Sequence, residues 1–231
     1  MGALHTPSLG QSSEDYLKAI YRLESEGLSV STSGLARSLH VSPAAVTKAL
    51  RHLGEHDLVR YTPYRGVLLT ATGRKAALRT IRQHRLIELF LYNVLGFGWE
   101  EVDEEADRLE HHISAKLAAR IDQALNYPKF DPHGSPIPSL DGTLAEPRGG
   151  LLAECGPGDE VLVREVDDRL PSVLKYLSAL GLRPGKIVRV LDRAPFDGPI
   201  TLQIDESIRT VAVNIATYIR VEPTGKLDPA V

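Results

Sequence analysis

Apolar residues in the first third of the chain recur at three- and four-residue spacing, which predicts a run of short helices. The first starts near Ser13, with Glu14 and Asp15 in an opening turn where carboxylates suit the helix dipole. Leu17, Ile20 and Tyr21 follow on its apolar side. Leu35, Ala36 and Leu39 form the stripe of a second helix, and Ala45, Val46, Ala49, Leu50 and Leu53 that of a third. Between them "HVSP" reads as a tight turn, with Ser42 as N-cap and Pro43 as the first helical residue. Two β-prone runs, 58–61 and 67–70, flank a turn containing Pro and Gly, as in a hairpin.

A helical pattern resumes at Thr72 and runs to about Leu95. Another runs from about Val102 to about Leu125, on Val102, Ala106, Leu109, Ile113, Leu117 and Ile121. The stretch "YPKFDPHGSPIPSLDG" is too rich in Pro and Gly for regular structure, so residues 128–150 are expected to form a linker. Beyond it "DEVLVREV", "KIVRVLDR", "ITLQID", "VAVN" and "YIRVEP" alternate with period two and read as short strands. One helix, "PSVLKYLSALG", interrupts them and should stop at Gly181. The expected class is mainly α with a small β-barrel domain, divided as 1–72, 73–127, the linker 128–150, and 151–231.

The net charge of −3 conceals an asymmetry. Residues 1–90 carry 12 Lys and Arg against 7 Asp and Glu, residues 91–170 carry 7 against 17, and residues 171–231 carry 8 against 6. A basic first third suits a polyanion and an acidic middle suits cations, although segregated solvated faces would look the same. The single Cys155 excludes an internal disulfide framework and fits a reducing compartment. With neither a basic apolar leader nor an apolar run of membrane length, a cytoplasmic protein without a membrane partner is expected.

Two short helices with a tight turn, then a hairpin, make a winged helix-turn-helix. The second helix would present Ser42, Pro43, Ala44, Thr47, Lys48 and Arg51 to a major groove, where small residues allow close approach and hydroxyls and cations reach bases and phosphates. The hairpin tip offers Arg60, Tyr64 and Arg65. A helical hairpin packed for structure alone is the plainer alternative, with Ser42 and Pro43 as caps and Lys48 as a solvated lysine.

In "DRLEHHISAKLAAR", Asp107, Glu110 and His111 stand at helical i, i+3 and i+4, with Asp103 one turn earlier. In the preceding helix His84 and Glu88 are at i, i+4. Packed side by side, such helices would assemble carboxylates and imidazoles into a cation site. A solvated acidic face is the bland reading of the same residues. A metal-dependent hydrolase is a rival reading, but the order "EHH" lacks the paired-histidine HExxH arrangement, and no nucleophile elbow or phosphate loop is present in the sequence. A DNA-binding protein with purely structural metals is the other rival. Neither an enzyme nor a small-molecule substrate is expected.

The runs "SSEDYLKAIYRLESEG", "VSPAAVTKALRHL", "YRGVLLTATGR", "HRLIELFL", "LEHHIS" and "PHGSPIP" occur in the order found in the diphtheria-toxin-repressor family of metal-dependent regulators, which the chain resembles over residues 13–223. The resemblance implies a winged helix, a helical dimerisation domain and a C-terminal SH3-like, FeoA-like barrel. It implies a primary site of Asp15, Asp107, Glu110 and His111. It implies an ancillary site of His84, Glu88 and Asp103, to which the barrel would add Asp167 or Asp168. Oxygen donors with one imidazole favour Mn²⁺, with Fe²⁺ the other choice. Lys18 stands where short manganese regulators carry a bridging Glu, and a cation there opposes two metals placed close together. The implied partners are a second copy of the chain and a palindromic DNA operator, with repression the implied outcome.

Overall fold

A computed structural model describes residues 10–62, 66–146 and 148–226. These residues fall into two compact units. The first comprises 10–84, 109–113 and 138–144; the second comprises 85–108, 114–137 and 145–226.

In the first unit, α1 (Gln11–Ser25), α2 (Thr32–Ser38) and α3 (Pro43–Glu55) precede a hairpin of β1 (Val59–Thr62) and β2 (Gly66–Leu69). The Ser42 side chain accepts from Ala45 N at 3.2 Å, and Pro43 occupies the first turn, so the expected cap forms. Leu17 and Ile20 of α1, Leu35 of α2, and Val46, Leu50 and Leu53 of α3 are buried in one core with Val59 and Val67 of the hairpin. Burying side chains of this size contributes about 1.5–3 kcal/mol each, so α1 cannot shift without disturbing α3. Glu24 adds polar ties, accepting from Leu69 N at 2.8 Å and from Arg74 at 2.6 Å.

The helix α4 (Ala71–Asn93) starts within the first unit, which it supplies up to His84. Its remainder belongs to the second unit, with α5 (Val102–Leu109) as far as Arg108 and with α6 (Ala115–Ala124). The single helix expected over 102–125 is therefore two. His112 N bonds back to Leu109 O at 2.9 Å, and Ser114 caps α6 by accepting from Leu117 N at 3.2 Å. A serine cap offers the backbone a competing arrangement, and here it wins. Glu110 and His111 consequently lie in a turn rather than on a helical face with Asp107.

The rest of the second unit is a six-stranded antiparallel sheet. It contains β3 (Gly150–Leu151), β4 (Glu160–Val166), β5 (Ile187–Arg193), β6 (Ile200–Ile204), β7 (Ser207–Val211) and β8 (Ile219–Pro223). The strand order is β3-β8-β4-β5-β6-β7, so the barrel-like domain is not closed by backbone pairing. Irregularities between Val163 and Glu165 and between Val190 and Asp192 interrupt the ladders, as bulges that bend strands do. The helix α7 (Pro171–Leu180) buries Leu174 and Leu177 in the sheet's core and ends at Gly181, whose φ of +79° suits glycine. The expected strand "VAVN" is not one: β7 ends at Val211, and Val213 opens the one-turn α8 (Val213–Ala216).

The Pro- and Gly-rich stretch contains no helix or strand among its described residues, only an isolated bridge from Phe130 to Pro136. It is nevertheless packed. Asp131, His133, Ser135 and Ile137 are buried, and Val166 N of β4 donates to His133 O at 2.9 Å. At Gly134, φ is +87°, and a Cβ would stand 1.9 Å from Arg164 O, so only glycine lets this turn lie on β4.

Candidate metal centres and nucleic-acid interface

The first cluster is built by one helical turn of α1 and the turn after α5. His111 sits between two carboxylates of α1: Nδ1 is 2.7 Å from Glu14 Oε2, and Nε2 is 2.8 Å from Asp15 Oδ1. The same Nε2 is 3.3 Å from Glu110 Oε1. With Nδ1–H donated to Glu14, Nε2 is the nitrogen left to face Asp15 and Glu110, an arrangement in which a carboxylate fixes a ligand imidazole. Glu110 is fully buried, and His84 Nδ1 lies 2.7 Å from its Oε2 while Lys18 Nζ donates to its Oε1 at 2.8 Å. Burial pushes the Glu110 carboxyl upward, but the His84 and Lys18 contacts outweigh it and hold the group below its ordinary range. For Asp15 burial prevails over His111 and Lys18, and its pKa is raised. Asp15, Glu110 and His111 each offer a donor atom within 4.8 Å of the others.

The second cluster lies wholly in the second unit. Glu88 of α4, Asp131 and His133 of the Pro/Gly turn, and Asp168 after β4 place donor atoms within 4.8 Å of one another. Asp131 Oδ1 accepts from His133 N at 2.8 Å and Ser135 N at 3.0 Å, which shapes the turn. His133 Nε2 is 2.7 Å from Trp99 O and so carries a proton, which in the neutral ring leaves the lone pair on Nδ1, 3.5 Å from Glu88 Oε1. Among the described residues, His133 Nδ1 and Asp131 Oδ2 are buried with no hydrogen-bond partner, although Arg85 stands 3.4 Å from Asp131 Oδ2. Burial and the adjoining Glu88 push the Asp131 carboxyl up to about 7. Burial alone would lower the His133 pKa, but Glu88, Asp131 and Asp168 together raise it. Bare buried donors facing clustered carboxylates fit a divalent cation of the harder kind.

The sequence-predicted residues distribute as follows. Asp15, Glu110, His111 and His84 belong to the first unit, while Asp107, Asp103 and Glu88 belong to the second, with Asp107 exposed and Asp103 half-buried on α5. Of the two barrel candidates, Asp168 joins the second cluster, whereas Asp167 is engaged by Arg169, with Nε 2.9 Å from both its oxygens. Sequence reading missed Glu14, Asp131 and His133. The signal for the latter two was an Asp-x-His pair inside a turn that its Pro and Gly content made look like a linker.

On the exposed side of α3, Ala44, Thr47, Lys48, Arg51 and His52 line one shallow groove with Glu55. Thr47 Oγ1 donates to Pro43 O at 3.0 Å. Arg60 of β1 is exposed; Tyr64 and Arg65 lie outside the described residues.

A helix-turn-helix with a β-hairpin, in a chain that also carries carboxylate–imidazole clusters, defines a metal-responsive DNA-binding protein. Residues 8–67 match the model of the iron-dependent repressor N-terminal DNA-binding domain, 70–139 that of the iron-dependent repressor metal-binding and dimerisation domain, and 151–223 that of the FeoA domain. The iron-dependent repressor IdeR of Mycobacterium leprae is 30% identical over 226 residues, covering 93% of this chain and 98% of its own. The diphtheria toxin repressor of Corynebacterium diphtheriae is 29% identical over 228 residues, covering 93% and 98%. A solved manganese-dependent transcriptional repressor in complex with manganese superposes with a TM-score of 0.84 at 39% identity, covering 91% of this chain and 99% of that one. The chain belongs to the diphtheria-toxin-repressor family of metal-dependent transcriptional regulators. No helix among the described residues is long and apolar enough to cross a membrane.

Proposed function

We propose that this protein is a repressor that binds a palindromic operator as a homodimer and is activated by Mn²⁺ or Fe²⁺. The observation that carries this reading is the junction of Asp15, on α1, with Glu110 and His111. Asp15, Glu110 and His111 would hold one cation, and Glu14 orients the imidazole. Glu88, Asp131, His133 and Asp168 would hold a second; Asp107, His84 and Asp103 are further ligands that the family resemblance implies. When bound, a divalent cation supplies the positive charge that offsets repulsion among these carboxylates. The donors are mostly oxygen with one imidazole in each cluster, which favours Mn²⁺ and Fe²⁺ over thiophilic ions. The neighbour described as a manganese-dependent repressor with manganese supports the first choice.

The chain's residues then connect cation to DNA. Asp15, pinned against Glu110 and His111, holds α1; α1 shares its buried core with Leu50 and Leu53 of α3, so α3 is held too. Ser42, Pro43, Ala44, Thr47, Lys48, Arg51 and Arg60 would face the duplex. Two such reading helices, one per protomer, must match major grooves roughly 34 Å apart. Moving the competent fraction from 1:99 to 99:1 needs differential cation binding of about 5.5 kcal/mol, within reach of two sites acting jointly. The test is selection of bound duplexes from a random pool with Mn²⁺ or with chelator, followed by an oligomeric-state measurement. Recovery of one palindrome only with metal, bound by a dimer, is expected; equal binding in chelator would reduce the metals to a structural role.

A further inference from the structure

We propose that Lys18 is a tethered competitor for the first cluster, an ammonium that takes the place of the cation and sets the concentration at which the protein loads. The proposal rests on the reading of Asp15, Glu110 and His111 as a cation site. One turn of α1 supplies three groups to that cluster: Glu14 to His111 Nδ1, Asp15 to His111 Nε2, and Lys18 to Glu110. The oxygen that Lys18 holds at 2.8 Å is Oε1 of Glu110, which is the oxygen nearer His111 Nε2. His84 occupies the other oxygen. A cation shared by Asp15, Glu110 and His111 therefore contends with the ammonium for one lone-pair region.

Lys18 cannot join the coordination shell, because an ammonium has three donors and no acceptor. It can only leave or repel. Leaving is open to it: the Glu110 side chain is 0% exposed, but that of Lys18 is 18% exposed on a flexible four-carbon stem. Loading then exchanges one positive charge for two rather than adding two to a vacant cluster. Without metal the same ammonium holds Glu110 to α1, so the unloaded protein keeps a satisfied buried carboxylate.

The experiment uses the full-length chain stripped with chelator, Mn²⁺ binding followed by electron paramagnetic resonance, and thermal melting with and without Mn²⁺. The relevant sites are those that disappear in Asp15→Asn. Lys18→Met and Lys18→Gln should bind Mn²⁺ at those sites at least tenfold more tightly than wild type, while Lys18→Arg, which keeps the charge, should bind like wild type. Stripped Lys18→Met should melt below stripped wild type, and saturation with Mn²⁺ should narrow the gap. Unchanged or weaker binding in both Lys18→Met and Lys18→Gln would overturn the role of Lys18 alone. A wild type that loses no bound Mn²⁺ on Asp15→Asn would overturn the cation site itself and this inference with it.

Discussion

The cluster around Glu110 is closed on itself, whereas the one around His133 is left open. In the first, the imidazole of His111 reaches Glu14 and Asp15, and the carboxylate of Glu110 is claimed by His84 and Lys18. In the second, among the described residues, His133 Nδ1 and Asp131 Oδ2 are buried without hydrogen bonds, Arg85 stands 3.4 Å from that Asp131 oxygen, and burial with Glu88 drives Asp131 up to about 7. The same residue types thus serve two ends. A cluster whose carboxylate is already paired can stand without a metal ion, while three carboxylates facing one arginine gain most when a cation arrives.

The largest effect should come from the open cluster. With free Mn²⁺ at about one hundred times its dissociation constant, wild type should gain about 2.7 kcal/mol of stability from one site. His133→Gln should lose most of that one site's gain, read as a smaller metal-induced rise in Tm; an undiminished rise would show that this nitrogen is not a ligand. Next, Asp15→Ala should remove metal dependence from operator binding and abolish Mn²⁺ binding at the first cluster. The dimer should survive it, as light scattering would show. A chelator-sensitive operator complex in Asp15→Ala would break the link between α1 and the switch.

A pH series sharpens the contrast. Asp131 and His133 both have raised pKa values in the folded chain, so the folded state binds the extra protons. For Asp131 the window runs from the unfolded carboxylate range near about 4 up to about 7, and for His133 it opens above the unfolded imidazole value of about 6.5. In both cases stability is present at low pH and is lost as pH rises. Stripped protein should therefore lose stability from pH 5 to 8 in denaturant titrations, and Asp131→Asn should flatten the slope. Glu110, whose pKa is lowered, contributes with the opposite sign and loses its share as pH falls below the carboxylate range. The smallest effect concerns neither cluster: Ser42→Ala should cost about 1 kcal/mol through the lost cap of α3, with metal affinity unchanged. Arg51→Ala should lower the slope of log affinity for DNA against log salt by about 1 if Arg51 meets a phosphate.

Local chemistry was readable where neighbours in sequence decide the outcome. The spacing of Leu17, Ile20, Leu35, Val46, Leu50 and Leu53, the Ser42–Pro43 cap and the alternation of the strands from Glu160 onward predicted elements that the structure contains. The arithmetic of helical spacing misled at Glu110 and His111, because Ser114 starts a new helix and no periodicity reports a competing cap.

From the amino-acid sequence alone came the reading helix, the hairpin, the strands and, through its ordered motifs, the family with its expected ligands Asp15, Asp107, Glu110 and His111 at one site and His84, Glu88 and Asp103 at another. Only the tertiary structure decided that Asp131 and His133 are buried donors, that Asp168 rather than Asp167 stands with them, and that Lys18 grips Glu110. The physical reason is separation along the chain. Lys18 and Glu110 are 92 residues apart, and a contact of that kind is fixed by which surfaces pack together, not by any local preference of the residues that make it.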